Sequence, residues 1–158
     1  MLAHVHLETS QLPPFSNGNE IGFPINVLYN WEFGKSSDFI YHEYTHCVIY
    51  HIYGGHFIDV FHNDNSEAAA MDEGFADYFA CAFNGESEFG EGVGSPVRDF
   101  DECDYTMDDW EFNEEYNNGM IIGGACWDMR KIFRAHFGES GCILADTLVS
   151  IQHNIVGL

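Results

Sequence analysis

The stretch YHEYTHCVIY, residues 41–50, sets two histidines four apart around a glutamate within a run of apolar and aromatic side chains. Positions i and i+4 of a helix lie one turn apart on the same face, so imidazoles at 42 and 46 can reach one cation. The run reads as a helix that begins behind three N-cap candidates, Ser36, Ser37 and Asp38, and continues to Tyr53, where Gly54-Gly55 stops it. Phe39, His42, Glu43, His46, Tyr50 and Tyr53 share one face; Ile40, Tyr44, Cys47 and Val48 share the other. A helix apolar on most sides is expected at the centre of a fold. Glu43, beside the first histidine, is placed to take a proton from water rather than to ligate.

A catalytic zinc takes three protein ligands and keeps one position open, so a third ligand must come from elsewhere in the chain. The next helical run, SEAAAMDEGFADYFACAF, has Ser66 as its cap and closes at Asn84-Gly85. Its alanines at 68, 69, 70, 76, 80 and 82 permit close packing. Glu73 on this helix, 27 residues after His46, fits the third position. Asp77, one turn further along the same face, can accept the free N–H of a ligand histidine and so fix its tautomer and orientation. Asp72 is the rival ligand, but it has no acidic partner at i+4. Gly74 costs helix propensity by ~1 kcal/mol relative to alanine, which makes sense where a backbone must pass close to something.

Composition bounds the rest. A chain of 158 residues with 46% hydrophobic side chains is about one domain long and can bury a sizeable core. Twenty-six acidic residues against five basic ones give a formal charge of -21. That charge repels phosphate backbones and anionic lipid heads, so nucleic acid and membrane surfaces are not expected partners. No apolar run approaches the roughly 20 residues of a transmembrane helix. The opening MLAHVHLETS lacks the basic region and apolar stretch of a secretory signal, so an export signal is expected to be absent or to lie outside these residues. The five cysteines form no C-x-x-C pair; most read as core residues, with Cys103 in its acidic context the candidate for exposure or pairing.

Residues 1–20 read as an irregular lead-in, with Pro-Pro and Asn-Gly breakers. IGFPINVLYNWEFG, residues 21–34, reads as one strand or a short hairpin, with Pro24 arguing for an edge position. Residues 85–119 hold twelve of the acids and a single basic residue, Arg98, and read as a long, mostly irregular acidic loop with room for short helical turns. Its Asp99, Asp101, Asp104, Asp108 and Asp109 have spacings that could gather oxygens around Ca2+, although no EF-hand-like loop is present. A third helix, GMIIGGACWDMRKIFRAHFG, ends at Gly138, and a fourth follows through SGCILADTLVSIQHNIV. His51, His56 and His62 match no ligand spacing, and Trp31, Trp110 and Trp127 read as core or loop anchors. The expected fold is α+β and mostly helical, one domain over residues 1–158 with a small N-terminal edge strand or sheet.

HEYTH followed by MDEGFADYFA resembles the gluzincin zinc metallopeptidases, the thermolysin-like and fungalysin-like group, with their H-E-x-x-H and downstream E-x-x-x-D. NVLY, from Asn26 to Tyr29, resembles the edge strand that pairs with substrate backbone in that family, a β-augmentation mode. NNGMIIGGACWDMRK resembles a segment of the fungalysin-like proteins that ends in a Leu-Trp-Asp-Leu-Arg type run. The resemblance spans roughly residues 24–137. It implies a zincin-like catalytic domain that cuts peptide or protein substrates, is secreted or held at the cell surface, and often uses calcium for stability. Residue by residue it implies His42, His46 and Glu73 on Zn2+, Glu43 as general base, Asp77 behind a ligand histidine and Asn26 on substrate backbone.

One position departs from the family. A histidine three or four residues before the glycine of the last segment stabilises the oxyanion in the relatives; here the glycine is Gly119 and those positions are Glu115 and Tyr116. A tyrosine hydroxyl, with an ordinary pKa of about 10, can donate the same hydrogen bond, which makes Tyr116 the candidate helper. The alternative function is a non-catalytic zinc-binding domain of structural or surface-assembly role, derived from a peptidase fold. Glu43 argues against it, since a structural zinc needs ligands but no base. An aminopeptidase of the same clan lacks support, because no G-x-M-x-N string is present.

Overall fold

A computed structural model of the chain describes residues 2–7, 13–26, 30–53, 67–93, 98–112 and 114–156. Ser66, the Gly54-Gly55 stop, His56, His62 and residues 27–29 of the NVLY stretch lie outside the described residues. The fold is α+β and mostly helical. Four strands come first, β1 (Leu2–Leu7), β2 (Phe15–Ser16), β3 (Glu20–Asn26) and β4 (Trp31–Glu32), and the helix α1 (Ser37–Ile52) follows them. Next come α2 (Glu67–Asn84), a small ribbon of β5 (Glu88–Phe89) with β6 (Arg98–Asp99), α3 (Glu115–Phe137) and α4 (Glu139–Val156). None of the described helices is long and apolar enough to cross a membrane.

The first twenty residues are not the irregular lead-in expected, because β1 and β2 form there. β1 pairs parallel with β3, and β2 pairs antiparallel with it through Phe15↔Gly22 and Ser16↔Ile21. β4 completes the short hairpin through Ile25↔Glu32 and Asn26↔Trp31. β3 is therefore the central strand, and Pro24 is not on an edge. Its missing N–H is tolerated for another reason: it falls between the β2 and β4 ladders, opposite the register shift between Val5 and Leu7 of β1. Gly22 leaves room for the Phe15 ring; a Cβ there would come within 2.2 Å of it.

The centre of the helical layer is α2 rather than α1. Ala76, Tyr78 and Ala80 of α2 are fully buried, whereas Tyr44 and Val48 of α1 remain 43% and 38% exposed. Small side chains set this order. α2 and α3 cross at Gly74 and Gly119, where a Cβ on Gly74 would lie 2.3 Å from the Gly119 carbonyl oxygen and 2.5 Å from Ile122. Gly74 thus gives up helix propensity for a backbone contact that no larger residue allows. α1 packs on the other side of α2, and α4 on α3. Phe75, Tyr78, Phe89, Phe100, Met120 and Trp127 fill the main core; Ile21, Phe23, Phe33 and Cys47 fill a second under the sheet.

Glycines at positive φ end α2 and α3, Gly85 at 80° and Gly138 at 63°, as the turn signals predict. Ser36 stands at the N-cap of α1, but its hydroxyl makes no capping bond. Asp38 ties the end of α2 to the start of α1. Buried at 2% exposure, it accepts the Gly90 N–H at 2.8 Å and the Asn84 side-chain amide. α3 begins at Glu115, a turn before the expected start, so the acidic segment is shorter than expected, and its described residues include the short helical turns Glu91–Val93 and Met107–Asp109. All five cysteines are free, and Cys103 directs its thiol to the Met120 carbonyl.

Candidate metal centre

α1 and α2 face each other along the side that carries His42, His46, Asp72, Glu73 and Asp77. The Nε2 atoms of His42 and His46 lie 2.9 Å apart. Glu73 reaches the same point, with its carboxylate oxygens 3.3 Å from His42 Nε2 and 3.7 Å from His46 Nε2. Among the described residues this is the group whose ligand atoms converge closely enough to hold a metal ion. The far side of each ring is held by a second carboxylate. His42 Nδ1 is hydrogen-bonded to Asp77 at 2.8 Å, and His46 Nδ1 is in ion-pair contact with Asp72 at 2.7 Å, which turns both Nε2 atoms inward. Asp72, a rival ligand by sequence, sits behind a ligand histidine instead.

The donor set fits a divalent cation. Glu73 Oε2 is buried, and its 3.3 Å contact with His42 Nε2 falls short of hydrogen-bond geometry, so a cation at this point would satisfy it better than the histidine does. Protons respond to the same charges. Burial and His46 pull the His42 pKa down, but Asp77 and Glu73 outweigh them and raise it to about 9. Burial likewise opposes protonation of His46, while Asp72 and Glu73 lift it to about 10. A 2.9 Å gap between two ring nitrogens admits one proton, so the pair titrates as a unit. Burial raises the Glu73 pKa, but His46 and His42 prevail and hold it down at about 2.

Arg98, given no role from the sequence, completes the arrangement. Its guanidinium forks onto Asp77, with Nη2 donating at 2.7 Å to the oxygen that also holds His42. It stacks on the Phe89 ring at 4.5 Å and faces the Tyr116 ring at 5.6 Å. The signal in the sequence is its place as the one cation in a segment of twelve acids. A base kept there against the local composition has a specific carboxylate to meet, and Asp77 is 1% exposed.

A cleft of about 320 Å³ opens over the histidines. Pro14, Phe15 and Ser16 line it, so β2 borders the cleft, and Glu115 and Tyr116 at the start of α3 line it as well. Asn26, paired with Trp31, lies outside this lining. Comparison of the chain with protein-family models, with curated proteins and with solved structures found no match. The chemistry of the cleft is therefore read from its own side chains.

Glu43 lines the cleft next to the cluster, 5% exposed, and burial raises its carboxyl pKa against the pull of His42 and His46. The negative charge of Glu73, with burial, pushes the Tyr116 hydroxyl up to about 12, so it keeps its proton and can donate at neutral pH. The five aspartates proposed for calcium do not converge. Asp101 instead accepts from Trp127 Nε1 and from Lys131, each at 3.0 Å, and Asp109 caps the turn at Thr106.

Proposed function

We propose that the chain is a zinc-dependent endopeptidase of gluzincin type. The observation that carries this reading is the pairing of two features in one cleft: an inward-facing His-His-Glu donor set, and a buried carboxylate, Glu43, beside it. Two imidazoles and one carboxylate suit Zn2+ and leave a position open. Bound there, zinc supplies Lewis-acid polarisation of a carbonyl and lowers the pKa of water. Glu43 takes the proton from the attacking water and passes it to the nitrogen of the leaving amine as the C–N bond breaks. Tyr116 donates a hydrogen bond to the carbonyl oxygen as negative charge develops on it. Asp77 and Asp72 keep both imidazoles turned toward the ion, and Arg98 holds Asp77 in place.

Position and burial of Glu43 favour this reading over a purely structural metal domain. Burying a carboxylate is costly unless something is gained, and a structural site gains nothing from a base beside its ligands. An extracellular or cell-surface setting goes with the family resemblance. The purified protein should carry about one zinc per chain and cleave casein, and His42→Ala should abolish both together. Stoichiometric zinc without any cleavage across a peptide library would leave the structural reading standing.

A further inference from the structure

The cleft is acidic beyond what its metal needs. Asp72 and Glu73 lie at the ligands, Glu43 lies beside them, and Glu115 lines the same cleft with Tyr116. A divalent ion offsets two of these four charges and leaves the cleft negative. Among the described residues no lysine or arginine lines it, and the guanidinium of Arg98 is committed to Asp77. Glu115 is not one of the converging ligands, and it belongs to the first turn of α3, a rigid element. The aromatic rings of Phe15 and Tyr116 line the same cleft.

We infer that Glu115 selects substrates with a lysine or arginine side chain next to the scissile bond. This rests on the peptidase reading above. A long cationic side chain lays its methylene stem on an aromatic ring and presents its charged head to a carboxylate. Glu115 offers the carboxylate, and Tyr116, its neighbour in sequence, offers the ring. The remaining cleft carboxylate, Glu43, adds to the attraction, and the charge of -21 steers cationic polypeptides toward the molecule from a distance. An acidic side chain at the same place would meet uncompensated like charge and be rejected.

The test uses zinc-loaded protein and peptides that differ only by Lys, Gln or Glu beside one bond. The ratio of kcat/KM for the Lys peptide over the Gln peptide should be about tenfold, should fall to near one in Glu115→Gln, and should invert in favour of the Glu peptide in Glu115→Lys. A second arm measures equilibrium binding of the same peptides to zinc-loaded Glu43→Gln by calorimetry, with and without Glu115→Gln. Lys-peptide binding should be the tightest and should weaken about tenfold without Glu115. Cleavage with no basic preference, or a preference that survives Glu115→Gln, overturns this inference and leaves the peptidase reading intact. If wild type cleaves nothing, the peptidase reading fails and the binding arm alone decides, with equal affinity for the Lys and Gln peptides overturning the inference.

Discussion

Replacing Arg98 with methionine removes the cation that faces Asp77 while keeping an unbranched side chain to lie on Phe89. Asp77 is 1% exposed and Arg98 13%, so water reaches neither partner well enough to substitute. Removing one member of a buried pair costs about 3–5 kcal/mol. The contact of Asp77 with His42 survives, and methionine retains part of the packing, so we expect a loss near the lower end, about 3 kcal/mol. In a domain of this size that corresponds to a fall in Tm of roughly 6–12 °C. Urea unfolding of the metal-free protein, followed by circular dichroism, reads the change as a lower midpoint at constant m. Arg98→Met combined with Asp77→Asn should cost less than the sum of the two single variants, since both act on one ion pair. A loss below about 1 kcal/mol, the level of an exposed surface pair, would refute the view that Arg98 is built into the metal centre.

Other consequences can be checked with the same protein. Asp72→Asn removes the carboxylate behind His46 and should weaken zinc affinity by about 10- to 100-fold in a competition titration, with the fold unchanged by circular dichroism. Gly74→Ala puts a methyl group into the Gly119 backbone and should destabilise by about 1–3 kcal/mol or more in urea, although alanine is the better helix former. In the metal-free protein, the proton shared by His42 and His46 is bound more tightly when folded, with values raised from 6.5 to about 9 and 10. It contributes at neutral pH and is lost as pH rises through 9 to 10, whereas below pH 6.5 the two separate imidazoles of the unfolded chain take up a second proton that the closed gap refuses. Glu73, lowered from 4.5 to about 2, contributes above pH 4.5 and loses that contribution as pH falls through 2. Denaturation midpoints should therefore be highest between these limits, and zinc should abolish the alkaline decline, because it binds the deprotonated histidines.

Features with a local signal are legible in the sequence. His42 and His46 follow from helical spacing, Glu73 and Asp77 from one further turn of the same logic, and the ends of α2 and α3 from glycine. What stays hidden depends on pairing across distance. β1 joins β3 in parallel, with no hairpin turn to announce it, and the two residues of β2 are too short to show a period. Pro24 reads as an edge residue because its tolerance comes from a gap between two neighbouring ladders, which only the register reveals. Asp72 has no helical neighbour that explains it, yet its partner, His46, lies across on α1. Arg98 has a compositional signal and no geometric one, since nothing in the spacing from 77 to 98 tells which acid it meets. The exposure of Tyr44 and Val48 likewise follows from α2, with its small residues, taking the central place that the apolar faces of α1 suggest for α1.

The central claim is that the cleft works on peptide bonds with Glu43 as its base. The rate of peptide hydrolysis by Glu43→Gln, measured beside wild type at equal zinc content, tests this most directly. We predict one zinc per chain in both proteins and a rate lower by about 10²- to 10⁴-fold in the variant. Equal zinc content with an undiminished rate would contradict it.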